Sequence, residues 1–364
     1  MSRYARITET LDWGILLTTF FLMVIGLLCV YSSTSGTGSG IFFKQLLWIC
    51  IGTVFLVIAF AVDYRNLMYS AWPLYGAVVL ALVLVLLVGR EISGARRWLI
   101  FYGPIRMQPS ELAKVFVIIW MAYWAEKKKH ILIHGIRELF FPAIVIMVPV
   151  LLILLQPDLG TAGIVSFIAA IMFLMLGIRR STLLTLGGLF LAGMPFLWFS
   201  LKDYQQLRIL TFLDPSRDPL GSGYHAIQSK IAVGSGGLIG KGFLHGTQTQ
   251  LKFLPEHHTD FIFSVVAEEW GFLGSGLLLF LYMMLITKII TVGLKAKDRF
   301  GALLCFGIAV YFTLHVFINI SMAVGIFPVV GVPLPFVSYG GSFMLINLVC
   351  IGIVLNVAWR RFIF

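Results

Sequence analysis

Apolar runs close to 20 residues long recur along nearly the whole chain, and they constrain the fold more than any motif does. A helix needs about 20 apolar residues to cross the hydrocarbon of a bilayer. Inside lipid every backbone polar group must be satisfied, so only helices and closed barrels span it. Barrel strands would alternate apolar with polar residues, and these runs do not alternate. Only 12% of the 364 residues are charged and 59% are hydrophobic, where a soluble domain carries about 25% charged residues. The chain reads as an all-α polytopic membrane protein with about ten transmembrane helices. They cover roughly 13–32, 43–63, 70–89, 110–125, 138–155, 160–178, 183–199, 263–290, 301–322 and 340–359. The large loop at about 200–262 falls between the seventh and eighth, and residues 1–364 read as a single integral membrane domain. Arg3 and Arg6 precede the first span, but Glu9 and Asp12 intervene and no small-residue cleavage site follows, so it reads as an anchor rather than a signal peptide.

Orientation follows from Lys and Arg in the short loops. Arg3, Arg6, Arg65, Lys127 to Lys129, Arg137, Arg179, Arg180, Lys295, Lys297, Arg299, Arg360 and Arg361 all fall on one side, which is therefore the cytoplasm, with both termini inside. The net charge of +11 is largely this topology signal and not the footprint of a nucleic-acid partner. Cys29, Cys50, Cys305 and Cys350 lie within spans, without metal-site or disulfide-framework spacing.

Three outer loops, 33–42, 156–159 and 323–339, contain no Lys or Arg, whereas a further one holds Arg90, Arg96, Arg97 and Arg106. Two readings stand: the arginines reach up to lipid phosphates, or they form a site for a phosphate-bearing ligand, for which the guanidinium fork is suited. QPSELAK follows, with Pro109 placed to start a helix and Glu111 and Lys114 three residues apart on one face. Charges within a span cost about 2.5–3.5 kcal/mol each, so they normally face a bundle interior and pair. The two either neutralise each other or take part in chemistry, and in both cases they mark an internal polar cavity.

In the large loop GSGGLIGKG (234–242) misses the Walker spacing, because Ser235 stands where the first glycine belongs, and no strand precedes it. Tyr224, Ile227 and Ile231 lie at helical spacing, which suggests a short interfacial helix followed by a flexible glycine-rich turn. The loop ends in LPEHHTDFIFSVVAEEWG (254–271), where His257, His258, Thr259 and Asp260 sit at the lip of a long apolar run. Thr259 or Asp260 suits a helix cap; Asp260 at the rim of a wet cleft with apolar walls equally suits a general base, because partial desolvation raises its proton affinity. Glu268 and Glu269 lie about 12 Å further along the helix, too deep for a solvated face, so chemistry explains the carboxylate cluster better than folding alone. SYGGS (338–342) either makes a tight turn or lines the cleft through Ser338, and Asp158 in QPDLG reads as a cap for the sixth span.

GARRWL, QPSELAK, QPDLGTA, FLPEHHTDFIFSVVAEEWG and FPVVGVPLPFVSYGGS occur in this order across the ten spans. Together they closely resemble the SEDS family (shape, elongation, division, sporulation) of cell-wall polymerases, most of all its elongation-specific member. The spacing from Asn319 through Gly325, Pro328 and Gly331 to SYGGS matches the family signature, except that Phe343 replaces a usual small residue. The resemblance implies a peptidoglycan glycosyltransferase that polymerises lipid II on the outer face of the bacterial cytoplasmic membrane. It implies Asp260 as the catalytic residue, accepting the proton of the acceptor's 4-hydroxyl in an inverting attack that releases undecaprenyl pyrophosphate. Arg96, Arg97 and Arg106 would meet the pyrophosphate, and Trp98, Glu111, Lys114, His258, Thr259 and Ser338 complete the substrate-binding set. No metal-ligand residue is assigned, and the one cofactor candidate is a divalent cation, Mg or Mn. The implied partners are lipid II, a class B penicillin-binding protein transpeptidase and the elongation complex. Two other functions compete: a lipid II flippase, since intramembrane charge also marks transporters, and a non-catalytic scaffold of the elongation complex.

Overall fold

The computed structural model describes residues 11–35, 40–92, 95–100, 106–128, 136–219, 221–251, 253 and 258–361. Arg3, Arg6, Glu9, Lys129 and His257 lie outside the described residues, as do the side chains of Arg90 and Arg96. The helices are α1 (Trp13–Thr34), α2 (Gly40–Ala61), α3 (Arg65–Tyr69), α4 (Ala71–Val88), α5 (Pro109–Lys127), α6 (Ile136–Leu155), α7 (Leu159–Met175), α8 (Arg180–Ser200), α9 (Asp203–Leu213), α10 (Ser222–Ser235), α11 (Thr247–Gln250), α12 (Ile262–Leu294), α13 (Arg299–Val324) and α14 (Gly341–Arg360). Every apolar run read from the sequence falls on one of the ten longest. Among the described residues, seven helices are long and apolar enough to cross a membrane.

The chain divides into two compact units, Met1–Tyr64 with Thr211–Phe364, and Arg65–Leu210. In the first, α1 packs on α2 and α12, α2 on α14, and α10 on both α12 and α13. Asn356, fully buried in α14, donates to the carbonyls of Ala59, Phe60 and Val62, satisfying the last turn of α2 where no further helix can.

α12 is broken at Gly271, whose φ of 66° and ψ of −160° interrupt the helical ladder. The groups released by that break are taken up by the glycine-rich segment. Lys241 and Gly242 N–H donate to the carbonyls of Glu268 and Glu269, both at 3.0 Å, while Phe272 and Leu273 N–H donate to those of Gly237 and Leu238 at 2.9 and 3.1 Å. A Cβ on Gly236 would lie 1.9 Å from the Ala267 carbonyl oxygen, and one on Gly240 2.1 Å from that of Glu269. The glycines are therefore required by close backbone approach, and the segment expected as a flexible turn is a packed re-entrant piece. The helix expected before it is present as α10, docked through buried Ser229, which bonds Ser264 Oγ (2.7 Å) and the Ala323 carbonyl (2.6 Å). Ile227 and Ile231 face outward. Beside the break lies an apolar cavity of about 370 Å³ lined by Val233, Phe263, Gly271, Phe272 and Leu279, among others.

In the second unit α4 packs on α5 and α6, and α7 on α5 and α6. The arginine-rich connection is not an irregular loop. It folds into antiparallel strands β1 (Arg90–Ile92), β2 (Ala95–Ile100) and β3 (Arg106–Met107) in the order β1-β2-β3, with Arg90 opposite Trp98 and Leu99 opposite Met107.

Candidate active site

The residues singled out by sequence separate into two groups, one in each unit. In the first unit His258, Thr259, Asp260 and Ser338 come together. The segment 258–261 precedes α12 and is clamped by the loop between α13 and α14. Tyr339 N–H donates to the His258 carbonyl (2.9 Å), and the two rings lie 5.8 Å apart. Ser338 Oγ donates to the Thr259 carbonyl and accepts from Leu334 N–H at 2.8 Å. Ser338 is fully buried, so of its two readings the structure supports the tight turn, and it is the Ser338 contact to main chain that shapes the site.

Asp260 itself is half-buried. Its carbonyl lies outside the α12 ladder and accepts a 2.8 Å bond from Asn319 Nδ2, which also donates to the Val332 carbonyl at 2.7 Å. The N-cap of α12 is Phe261, which makes no side-chain cap bond; its ring instead packs on Met322 and Val329 in a small core. Gly331, at φ 74°, leaves room for the Asp260 carboxylate: a Cβ there would come within 3.2 Å of Oδ2. Asp260 is thus partly exposed, its own carbonyl held by Asn319 and the preceding His258 and Thr259 held through theirs.

Glu268 and Glu269 do not join this group. Glu268, fully buried, accepts from Lys241 Nζ (2.7 Å), Thr247 Oγ1 (3.0 Å) and Gln248 N–H (3.0 Å), and Glu269 accepts from Ser32 Oγ. Their bonds tie the glycine-rich segment and α1 to α12.

In the second unit Arg97 is already engaged. Its Nε donates to the Gln156 carbonyl (3.2 Å), its terminal nitrogen to that of Pro157, and a second lies 3.9 Å from Asp158 Oδ1. Asp158 caps α7 as expected, accepting from Thr161 N–H at 3.2 Å and Oγ1 at 2.9 Å, and also from Gln108 Nε2 at 3.2 Å. Arg97 thus pins the sheet to the α6–α7 corner. One turn into α5, Lys114 Nζ meets Glu111 Oε1 at 2.7 Å with both side chains buried, the pairing that the three-residue spacing anticipates. Trp98 is half-buried on β2 and Arg106 exposed on β3. Among the described residues no group of three or more His, Cys, Asp or Glu is arranged to hold a metal ion. Sequence reasoning passed over the roles of Asn319, of Gly331 and of Gln45, which bonds the Ser338 carbonyl and Gly340 N–H; for the two carboxamides the available signal was a polar side chain inside an apolar run, costly unless it has work to do.

A model of the FtsW/RodA/SpoVE family, described as cell cycle protein, matches residues 10–361. The chain is 41% identical to the peptidoglycan glycosyltransferase MrdB of Escherichia coli K12, over 96% of its own length and 94% of that protein's. It is 38% identical to a probable peptidoglycan glycosyltransferase FtsW of Geobacter metallireducens, over 97% and 96%. Among solved structures it matches a chain of a peptidoglycan synthase complex that coordinates polymerization and crosslinking, with a TM-score of 0.84 at 35% identity, covering 97% of this chain and 99% of that one. The rod shape determining protein RodA of Thermus thermophilus matches with a TM-score of 0.73 at 31% identity, covering 97% and 98%.

Proposed function

The chain belongs to the FtsW/RodA/SpoVE family, and from that premise we propose how its residues carry out the reaction. It is an integral inner-membrane peptidoglycan glycosyltransferase. Its substrate is lipid II, and Asp260 is the general base. The carboxylate takes the proton of the acceptor sugar's 4-hydroxyl as that oxygen bonds to the anomeric carbon of the growing strand. The bond from that carbon to the undecaprenyl pyrophosphate breaks in the same displacement, so an α-linked donor becomes a β-1,4 link. Glycosidases need a second carboxylic acid to protonate a departing alkoxide; pyrophosphate leaves as a stabilised anion, and one carboxylate suffices. The observation that carries this reading is the half-buried Asp260, with its carbonyl held by Asn319 and with Gly331, which has no Cβ, facing its carboxylate.

Arg106, exposed on β3, draws phosphate-bearing lipid to the outer surface, a role that Arg97 with its engaged donors serves less well. The described carboxylates do not build a resident three-ligand metal site. A divalent cation, Mg or Mn, would then have to arrive with the substrate pyrophosphate and take at most one protein carboxylate, a mode that suits Mg. The greater likeness to MrdB and the match to RodA support elongation as the process served, the likeness to a chain of a synthase complex supports a class B penicillin-binding protein transpeptidase as partner, and the Lys and Arg of the short loops support cytoplasmic termini.

The test is glycan-chain formation from labelled lipid II by purified protein, with and without its partner. Asp260→Asn is expected to lower the rate at least 100-fold, within the range a general base supplies, with thermal stability and partner binding retained. Wild-type rates from Asp260→Asn would remove the assignment. Wild type that moves lipid II across vesicles without joining it would favour a flippase.

A further inference from the structure

We propose that Asn319 is the positioning residue of this site, setting where the Asp260 carboxylate stands against the 331–338 loop; the inference rests on Asp260 acting as the base. Asn319 lies near the end of α13 and is fully buried. A carboxamide there is costly in an apolar helix, and its two amide hydrogens are both used, one on the Asp260 carbonyl and one on the Val332 carbonyl. Those acceptors belong to different segments, and each adjoins a half of the one contact that matters. The first is on the residue that bears the carboxylate. The second follows Gly331, whose Cα faces that carboxylate closely enough that a Cβ would stand 3.2 Å from Oδ2. One planar amide therefore fixes the separation between the base and the backbone wall beside it.

Other bonds hold the two segments together further from the base. Ser338 holds Thr259, Tyr339 N–H holds His258, and Gln45 reaches the Ser338 carbonyl and Gly340 N–H, each at 3.3 Å. Removing the Asn319 donors should therefore leave the clamp closed and change only the placement of Asp260. Asn319 Oδ1 is buried with no bonded partner, so the donors and not the acceptor are what the position requires.

The experiment measures lipid II polymerisation, as kcat and KM, together with thermal stability and partner co-purification, for Asn319→Asp and Asn319→Ser. Asn319→Asp is nearly isosteric. Ionised, it has no hydrogen to give and two carbonyls to face; protonated, it regains one donor. The expected result is a kcat about tenfold or more below wild type, KM within about twofold, and partner binding retained. The kcat of Asn319→Asp should also recover toward acid pH relative to Asn319→Ser, a profile that a packing role would not produce. A wild-type kcat in either folded variant would overturn the inference. So would loss of partner binding in both, since Asn319 would then serve folding alone. Asp260→Asn measured alongside separates the two ideas. If it is active, the base assignment fails; if it is inactive while the Asn319 variants are not, only the positioning role fails.

Discussion

Gly331 is the residue where backbone conformation and chemistry meet most closely. Its φ of 74° is left-handed, open to glycine at little cost and to other residues only with strain of about 1–2 kcal/mol. Gly331→Ala adds that strain and pushes a methyl against Asp260 Oδ2. We expect stability to fall by about 1 kcal/mol while polymerisation falls about tenfold or more, since small displacements of a reacting group are expensive; thermal melting and lipid II turnover measured together separate the two effects. An unchanged rate would mean that the carboxylate does not work where it stands. At this scale the sequence was informative wherever a residue acts with near neighbours. The Glu111–Lys114 pair, the Asp158 cap and the place of Asp260 just ahead of a long apolar run could all be read from the sequence. It was silent where partners come from far along the chain. Nothing local says that the Arg97 guanidinium is taken by the Gln156 and Pro157 carbonyls, or that Asn319 reaches back to Asp260.

Elements were legible in proportion to how strongly lipid dictates them. Continuous apolar runs must become helices, and all ten did so. The small sheet of 90–107 lies outside that rule, because its strands are two to six residues long and rich in arginine, with no alternating face to betray them. The re-entrant segment was hidden for another reason: its pairing is backbone to backbone, and Gly236, Gly240 and Gly271 reveal only that approach is possible. Its side-chain lock is Glu268, fully buried and neutralised by Lys241, whose own side chain is 26% exposed. Lys241→Met keeps the apolar stem and removes the charge, leaving a buried carboxylate with only the neutral donors of residues 247–249. Breaking a fully buried pair costs about 3–5 kcal/mol; with Lys241 partly wet, about 2 kcal/mol is expected. Melting of the purified variant measures it, and the double variant Lys241→Met with Glu268→Gln should recover most of the loss. A single variant as stable as wild type would show that the hydroxyls and amides of residues 247–249 hold Glu268 unaided.

For the whole molecule, the reaction imposes a condition on orientation. If Asp260 is the base of a polymerase that joins glycan outside the membrane, the start of α12 must open to that side and its far end must reach the cytoplasm. At 33 residues and 1.5 Å per residue, α12 is ample for a hydrocarbon layer of about 30 Å, even with its break at Gly271. Lys295, Lys297 and Arg299 crowd its far end, as cytoplasmic loops require, whereas the loop before it carries Ser216 exposed between α9 and α10. Single cysteines resolve this directly. The native thiols are free, with Cys29, Cys305 and Cys350 buried and Cys50 exposed, so they are replaced first. In intact spheroplasts a membrane-impermeant maleimide should then label Ser216→Cys and spare Lys295→Cys, which becomes reactive only after lysis. The opposite pattern would put Asp260 on the cytoplasmic face, where no glycan strand is available to extend, and the catalytic reading would fall with the topology. Labelling of both in intact cells would mean that α12 does not cross, and that its break at Gly271 turns the chain back.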